Sequence, residues 1–270
     1  MSMITDLGFY KILVPFEHNL FNELSNSVEF ENITNGRVAN QLVNIANGSI
    51  PIVRTTSKYS IPAQNFADVH LLIINKINQT IKKNLTEIPI QYFNNALIEI
   101  YDLKYSKMNY HSDQNLDLED NSYIGLFSCY EYPDDISEQN IRKLKIKDKV
   151  TNDEFDISLT HNSVILFSTE TNMKYQHKIV LDANPKIKKP VIDNRWLGIT
   201  FRTSKTYIHF KNNFPFFSNG EQLILANEEQ EKLFFKHRGE ENKSLNYHYP
   251  FFNFTISLGD VLYPQNPKNI

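Results

Sequence analysis

The sequence predicts a mostly β protein with a few flanking helices, folded as a sandwich or barrel. Three observations carry that reading. Roughly ten short runs rich in β-branched and aromatic residues, each bounded by turn residues, recur along the chain. Only one long segment, residues 66–83, holds a sustained helical period. Aromatic residues are plentiful (19 Phe and 14 Tyr), which suits a sheet-rich core. The chain has 8 Gly and neither G-x-x-x-x-G-K nor G-x-G-x-x-G, which argues against a glycine-rich nucleotide-binding design.

The elements follow in order. Residues 9–16 are a mixed apolar start, and polar turns surround residues 32–36. Residues 38–46 fit a short helix or a strand, because periodicity does not decide between them. IPIVRTT (50–56) reads as a strand closed by a turn at 59–62. Asn65 is placed to cap the helix over 66–83, in which Phe66, Val69, Ile73, Ile77 and Ile81 share one face. Strands are predicted at 96–101 and 122–127, with a turn-rich loop at 132–140. KLKIKDKV (143–150) alternates charge with apolar residues, as an edge or surface strand would. Phe155, Ile157 and Leu159 alternate in another strand, SVILF (163–167) is buried, and YQHKIVL (175–181) follows. After a linker at 182–190, residues 195–203 and 205–210 continue the sheet. Asn227 caps a short helix through Lys236, and the aromatic tail, 251–258, is a last strand.

Composition bounds the function. A net charge of −3 and a pI near 6.2 mean that any contact with nucleic acid must be a local patch. The single Cys129 excludes an intramolecular disulfide and fits a reducing, intracellular setting, cytoplasmic or nuclear. No apolar run reaches transmembrane length, so no membrane partner is expected, and MSMITDLGFY lacks the form of a signal peptide. The 270 residues show no internal repeat and read as one domain. Oligomeric state is not legible.

Chemistry concentrates at His111-Ser112-Asp113, where an imidazole and a carboxylate two residues apart share one face of an extended backbone. Such a pair can supply two of the three ligands of a 2-His-1-carboxylate site. His177 follows on a predicted strand 64 positions after Asp113, and Arg202 lies on another, 25 positions further on. A lone histidine or arginine on a strand is more often structural than functional; the order and spacing of the four single them out. This order resembles that of the Fe(II)/2-oxoglutarate-dependent dioxygenases on the double-stranded β-helix (jelly-roll) fold. The phrases around it, EIY (99–101), YQH (175–177) and TFR (200–202), are most similar to the AlkB-like branch. The resemblance covers about residues 90–210.

The resemblance implies a jelly-roll catalytic core at 91–210, with 1–90 and 211–270 as extensions packed on it. It implies that His111, Asp113 and His177 bind Fe(II), leaving positions for 2-oxoglutarate and O2. It implies that Arg202 pairs with the distal carboxylate of 2-oxoglutarate, with Tyr101, Thr200 and Arg195 beside it. Two positions depart from the pattern: Trp196 stands where AlkB-like enzymes usually carry a second arginine, and Glu99 where they usually carry asparagine. The implied reaction is hydroxylation of a C–H bond, with oxidative demethylation of N-methylated nucleic acid as the first substrate. Tyr110, Gln114, Asp117 and Arg54 are the expected substrate contacts. A protein side chain is the alternative substrate, because the acids at 117–120 would welcome a basic segment. A non-catalytic jelly-roll binding module and a His/Asp zinc hydrolase are the readings from other classes.

Overall fold

Alternation of apolar residues along seven strands builds most of the larger of two facing sheets, to which the short strands Met3–Ile4 and Gln64–Asn65 are added. The computed structural model describes residues 3–4, 7–106, 108–181 and 193–266. In chain order the principal strands of these two sheets are β1 (Phe9–Leu13), β2 (Glu31–Thr34), β3 (Arg37–Val43), β4 (Asn95–Tyr101), β5 (Tyr123–Tyr130), β6 (Arg142–Asp148), β7 (Glu154–Ser158), β8 (Ser163–Ser168), β9 (Tyr175–Leu181) and β10 (Trp196–Arg202). Tyr207–Lys211, expected to continue the sheet, pairs instead with Phe214–Phe217 and Ile50–Pro51 in a separate sheet. The large sheet runs β1-β8-β5-β10-β4-β3-β2, and the small one runs β7-β6-β9, all antiparallel. An isolated bridge between His111 and His177 extends the small sheet by one more chain segment.

The winding defines the fold. From β4 the chain crosses to the small sheet at His111, returns for β5, crosses again for the β6–β7 hairpin, returns for β8, crosses for β9 and returns for β10. Four segments in each sheet, visited in this way, make a double-stranded β-helix, the jelly roll predicted above. Strands from residues 9–43 widen the same sheet, so this part of the N-terminal extension is hydrogen-bonded into the core.

Each strand of the large sheet uses both faces. Tyr101, Leu126, Phe167 and Trp196 point inward and pack against Leu144, Ile146 and Ile179 of the small sheet. Ile98, Phe127, Leu197, Ile199 and Phe201 point outward and are covered by the helix α2 (Asp68–Asn84). Val69, Ile73, Ile77 and Ile81 of that helix are each at most 3% exposed, and burial of such a side chain contributes about 1.5–3 kcal/mol. Three further helices flank the sheets: α1 (Phe21–Asn26), α3 (Thr169–Lys174) and α4 (Glu228–Glu241). Among the described residues, no helix is long and apolar enough to cross a membrane.

Several expectations are corrected. Of residues 38–46, those up to Val43 form the strand β3, because its cross-strand partner β4 decides what periodicity could not. β6 is the central strand of its sheet, not an edge: its lysines face outward while Leu144 and Ile146 fill the interior. Asn65 does not cap α2, since it pairs with Val43 in a short parallel bridge strand. The cap position is Ala67, whose backbone N–H donates to His70 Nδ1 at 2.9 Å. Only Ile50–Pro51 of the strand predicted at 50–56 is regular, and only Phe254–Thr255 of the tail. Asn227 does cap α4, accepting from Gln230 N at 2.9 Å, and the helix runs beyond Lys236 to Glu241. The linker at 182–190 lies outside the described residues.

Candidate metal centre

The bridge between His111 and His177 is what brings the two imidazoles together. His111 N–H donates to His177 O at 3.0 Å and His177 N–H to His111 O at 2.7 Å. A reciprocal pair of this kind places both side chains on one face, and the ring centroids are 4.8 Å apart. Extended backbone then turns Ser112 away, its Oγ donating to Tyr175 O at 2.9 Å, and returns Asp113 to the face of His111. Asn172, on α3, holds the Asp113 backbone at both ends. It accepts Asp113 N–H at 2.7 Å and donates to Asp113 O at 2.8 Å. From α4, Arg238 donates to Ser112 O and pairs with Glu241, while Asn242, the residue that follows the helix, accepts Ser112 N–H at 3.1 Å.

One candidate donor atom from each of His111, Asp113 and His177 lies within 4.8 Å of the others. His177 Nε2 stands 3.6 Å from Asp113 Oδ1, and Arg202 Nε donates to Asp113 Oδ2 at 2.8 Å. His111 Nδ1 lies 3.0 Å from Asn109 O. A proton on that nitrogen makes it the donor and leaves Nε2 as the free lone pair, the usual way a backbone carbonyl orients a metal-ligating histidine. Desolvation, and then the neighbouring His177, pushes the His111 ring down to about 3, so it is neutral at physiological pH. Burial alone would raise the Asp113 carboxyl, but the Arg202 guanidinium and His177 overcome it and hold the group well below the usual carboxylate range. Two imidazoles, the His111 ring held neutral, and an ionised carboxylate converge from separate segments, a donor set that fits a divalent metal of the Fe(II) type.

The centre forms part of the wall of a cavity of about 430 Å³ between the sheets. Thr200, Arg202, Tyr101 and Gln114 all line it. Arg202 lines the cavity and donates its Nε to Asp113. The Tyr101 hydroxyl donates to Glu99 Oε2 at 3.0 Å, and burial, then Glu99, holds its pKa well above the usual tyrosine value. Gln114 is 7% exposed, and neither its carbonyl nor its amide nitrogen has a partner.

Four expected contacts lie elsewhere. Arg195 makes a bidentate pair with Glu131 (2.7 Å for both bonds) and is 44% exposed outside the cavity, because the odd register of β10 points it away. Arg54 and Asp117 are 3% and 0% exposed, bind each other as an internal brace and do not line this cavity. Tyr110 packs beneath Lys178 Nζ, 4.0 Å from its ring centroid, and does not line the cavity. Conversely, Arg37 and Arg238 line the cavity unforeseen as contacts, beside Glu99, which the sequence had singled out. Arg37 follows a Gly in a polar turn and carries no local signal of its position; only the pairing of β3 with β4 reveals it.

Fold and site together define a jelly-roll protein in which a His-x-Asp pair and a distant His converge on one point. No family model matches the chain, and no curated protein matches it. Among solved structures it is similar to one titled "The structure of OsALKBH1", at 13% identity and a TM-score of 0.49, over 75% of this chain and 100% of that one. It is also similar to a Pseudomonas putida prolyl-4-hydroxylase, at 10% identity and a TM-score of 0.34, over 62% of this chain and 72% of that one.

Proposed function

We propose that this chain is an Fe(II)- and 2-oxoglutarate-dependent oxygenase that hydroxylates a C–H bond. The observation that carries the reading is the convergence of His111, Asp113 and His177 on the wall of an internal cavity, with the His111 ring and the Asp113 carboxylate kept free of protons. A bound Fe(II), with 2-oxoglutarate and O2, would supply the oxidising chemistry. The chain's own part is to hold three ligands on one side of the metal, to orient them through Asn109, Asn172 and Arg202, and to shape a pocket walled by Leu126, Phe167 and Ile179.

The cavity supports a reading of the substrate class. Gln114 offers one donor pair and one acceptor, all unpartnered, to whatever enters. That complement fits the edge of a nucleobase, so an N-methylated base, flipped or single-stranded, is the first substrate. A basic protein segment is the alternative, but the acidic mouth that favoured it is weaker than the sequence suggested. Asp117 is buried against Arg54, and Asp120 pairs with Lys205 at 2.9 Å. The test is succinate formation above the uncoupled background, with methylated oligonucleotides set against peptides. The reading expects O2-dependent succinate that rises with oligonucleotide and falls in Gln114→Leu. Turnover with Zn(II) and without O2 would instead make the centre hydrolytic. Retained ligand binding in His111→Ala, with no turnover in any form, would leave a binding module.

A further inference from the structure

The same cavity holds a second, charged constellation that the metal centre does not use. Gly36, at φ +77°, makes the tight turn between β2 and β3, and its carbonyl accepts Asp102 N–H at 3.0 Å. This docks Arg37 beside the end of β4, opposite Tyr101 in the strand register. Arg37 Nε donates to Glu99 Oε1 at 2.7 Å, and the Tyr101 hydroxyl donates to the other carboxylate oxygen at 3.0 Å. The side chains of Arg37 and Glu99 are 15% and 7% exposed, and both line the cavity together with Tyr101, Tyr105 and Ser57.

Register places this pair relative to the metal. Glu99 lies opposite Gly198 on β10, four residues from Arg202, which is about 13 Å along a strand. Position 196 contributes no cation there. Its indole lies back over Gly198, where an added Cβ would stand 2.0 Å from the ring. The cavity therefore runs from a carboxylate-and-imidazole cluster at one end to a guanidinium already engaged by an internal carboxylate at the other.

We propose that Arg37, from a strand outside the eight jelly-roll segments, is the residue that receives the distal carboxylate of a 2-oxo diacid, and that Glu99 competes with it for that place. The inference rests on the oxygenase reading and adds to it the group that sets cosubstrate choice. A guanidinium suits a carboxylate in bidentate geometry. Glu99 already holds the Arg37 guanidinium through one oxygen, Oε1, which takes both Nε (2.7 Å) and Nη2 (2.5 Å), so an incoming carboxylate meets a like charge and must displace it. The wild-type chain consequently distinguishes a diacid from a monoacid poorly, and removing the Glu99 charge restores the distinction.

The experiment is anaerobic calorimetric titration of the Fe(II)-loaded chain with 2-oxoglutarate and, separately, with 2-oxobutyrate, which lacks the distal carboxylate. Glu99→Gln raises the preference for 2-oxoglutarate by about tenfold or more, the scale of one charge-assisted pair. Arg37→Met in the Glu99→Gln background, which leaves no buried charge behind, abolishes that gain, and Arg37→Lys retains part of it. A preference unchanged by Glu99→Gln, or a gain that survives Arg37→Met in the double variant, overturns the proposal while leaving the oxygenase reading intact. If neither 2-oxo acid binds the metal-loaded wild type or any variant, the oxygenase reading fails and this inference fails with it.

Discussion

Replacing Arg54 by Met tests whether this residue is an internal brace or a substrate contact. The guanidinium makes two bonds to Asp117 (3.0 and 2.7 Å) and two more to the backbone carbonyls of Phe252 and Phe254 (2.6 and 3.0 Å). It therefore ties the loop after the metal ligands to the C-terminal segment. Arg54→Met strands a carboxylate that is 0% exposed, and breaking a buried pair from one side costs about 3–5 kcal/mol. At roughly 2–4 °C per kcal/mol for a chain of this size, Tm falls by about 6–20 °C. The assay is thermal and urea denaturation followed by circular dichroism. The urea slope should be unchanged, since the surface exposed on unfolding is the same. The double variant Arg54→Met/Asp117→Leu should recover much of the loss, because no charge is then left unpaired. A variant that melts within about 1 kcal/mol of wild type, yet loses turnover, would refute the brace and return Arg54 to the substrate site.

Two further outcomes are expected. His70 is 0% exposed, and burial lowers its pKa from 6.5 to about 4. Between those values the unfolded chain takes up a proton that the folded chain refuses, so stability falls as pH drops through this window, by about 3 kcal/mol in total. His70→Gln, which keeps an acceptor for the Ala67 N–H, should flatten the urea midpoint between pH 7 and 4 relative to wild type; parallel profiles would contradict the assignment. Asn172→Ala removes both clamps on the Asp113 backbone and should weaken metal binding roughly 10–100-fold while the far-ultraviolet spectrum is retained. Wild-type affinity would show that Asp113 needs no such support.

Much of this was legible in the residues. His111-x-Asp113 and His177 announced a metal centre because ligand chemistry restricts which residue types can serve and alternation restricts where they point. The strands of the jelly roll were readable from β-branched runs, and α2 from the spacing of Val69, Ile73, Ile77 and Ile81. What failed did so for a common reason: long-range pairing. Arg54 and Asp117 sit 63 positions apart and neutralise each other, which no local pattern reveals. Lys143, Lys145 and Lys147 suggested an exposed edge, whereas neighbours on both sides make β6 central. Arg195 pairs with Glu131 across the sheet surface, and Arg37 enters the cavity only because β3 lies beside β4. Glu99 stood out in the sequence as an unusual carboxylate, but its partner did not.

The most direct measurement is an anaerobic titration of the purified chain with Fe(II) and then 2-oxoglutarate, recording the visible spectrum. Three ligands converging as described predict a weak charge-transfer band at one iron per chain, absent in His177→Ala and in His111→Ala. An intact band in either variant, or no band in the wild type, would contradict a shared metal centre at this place.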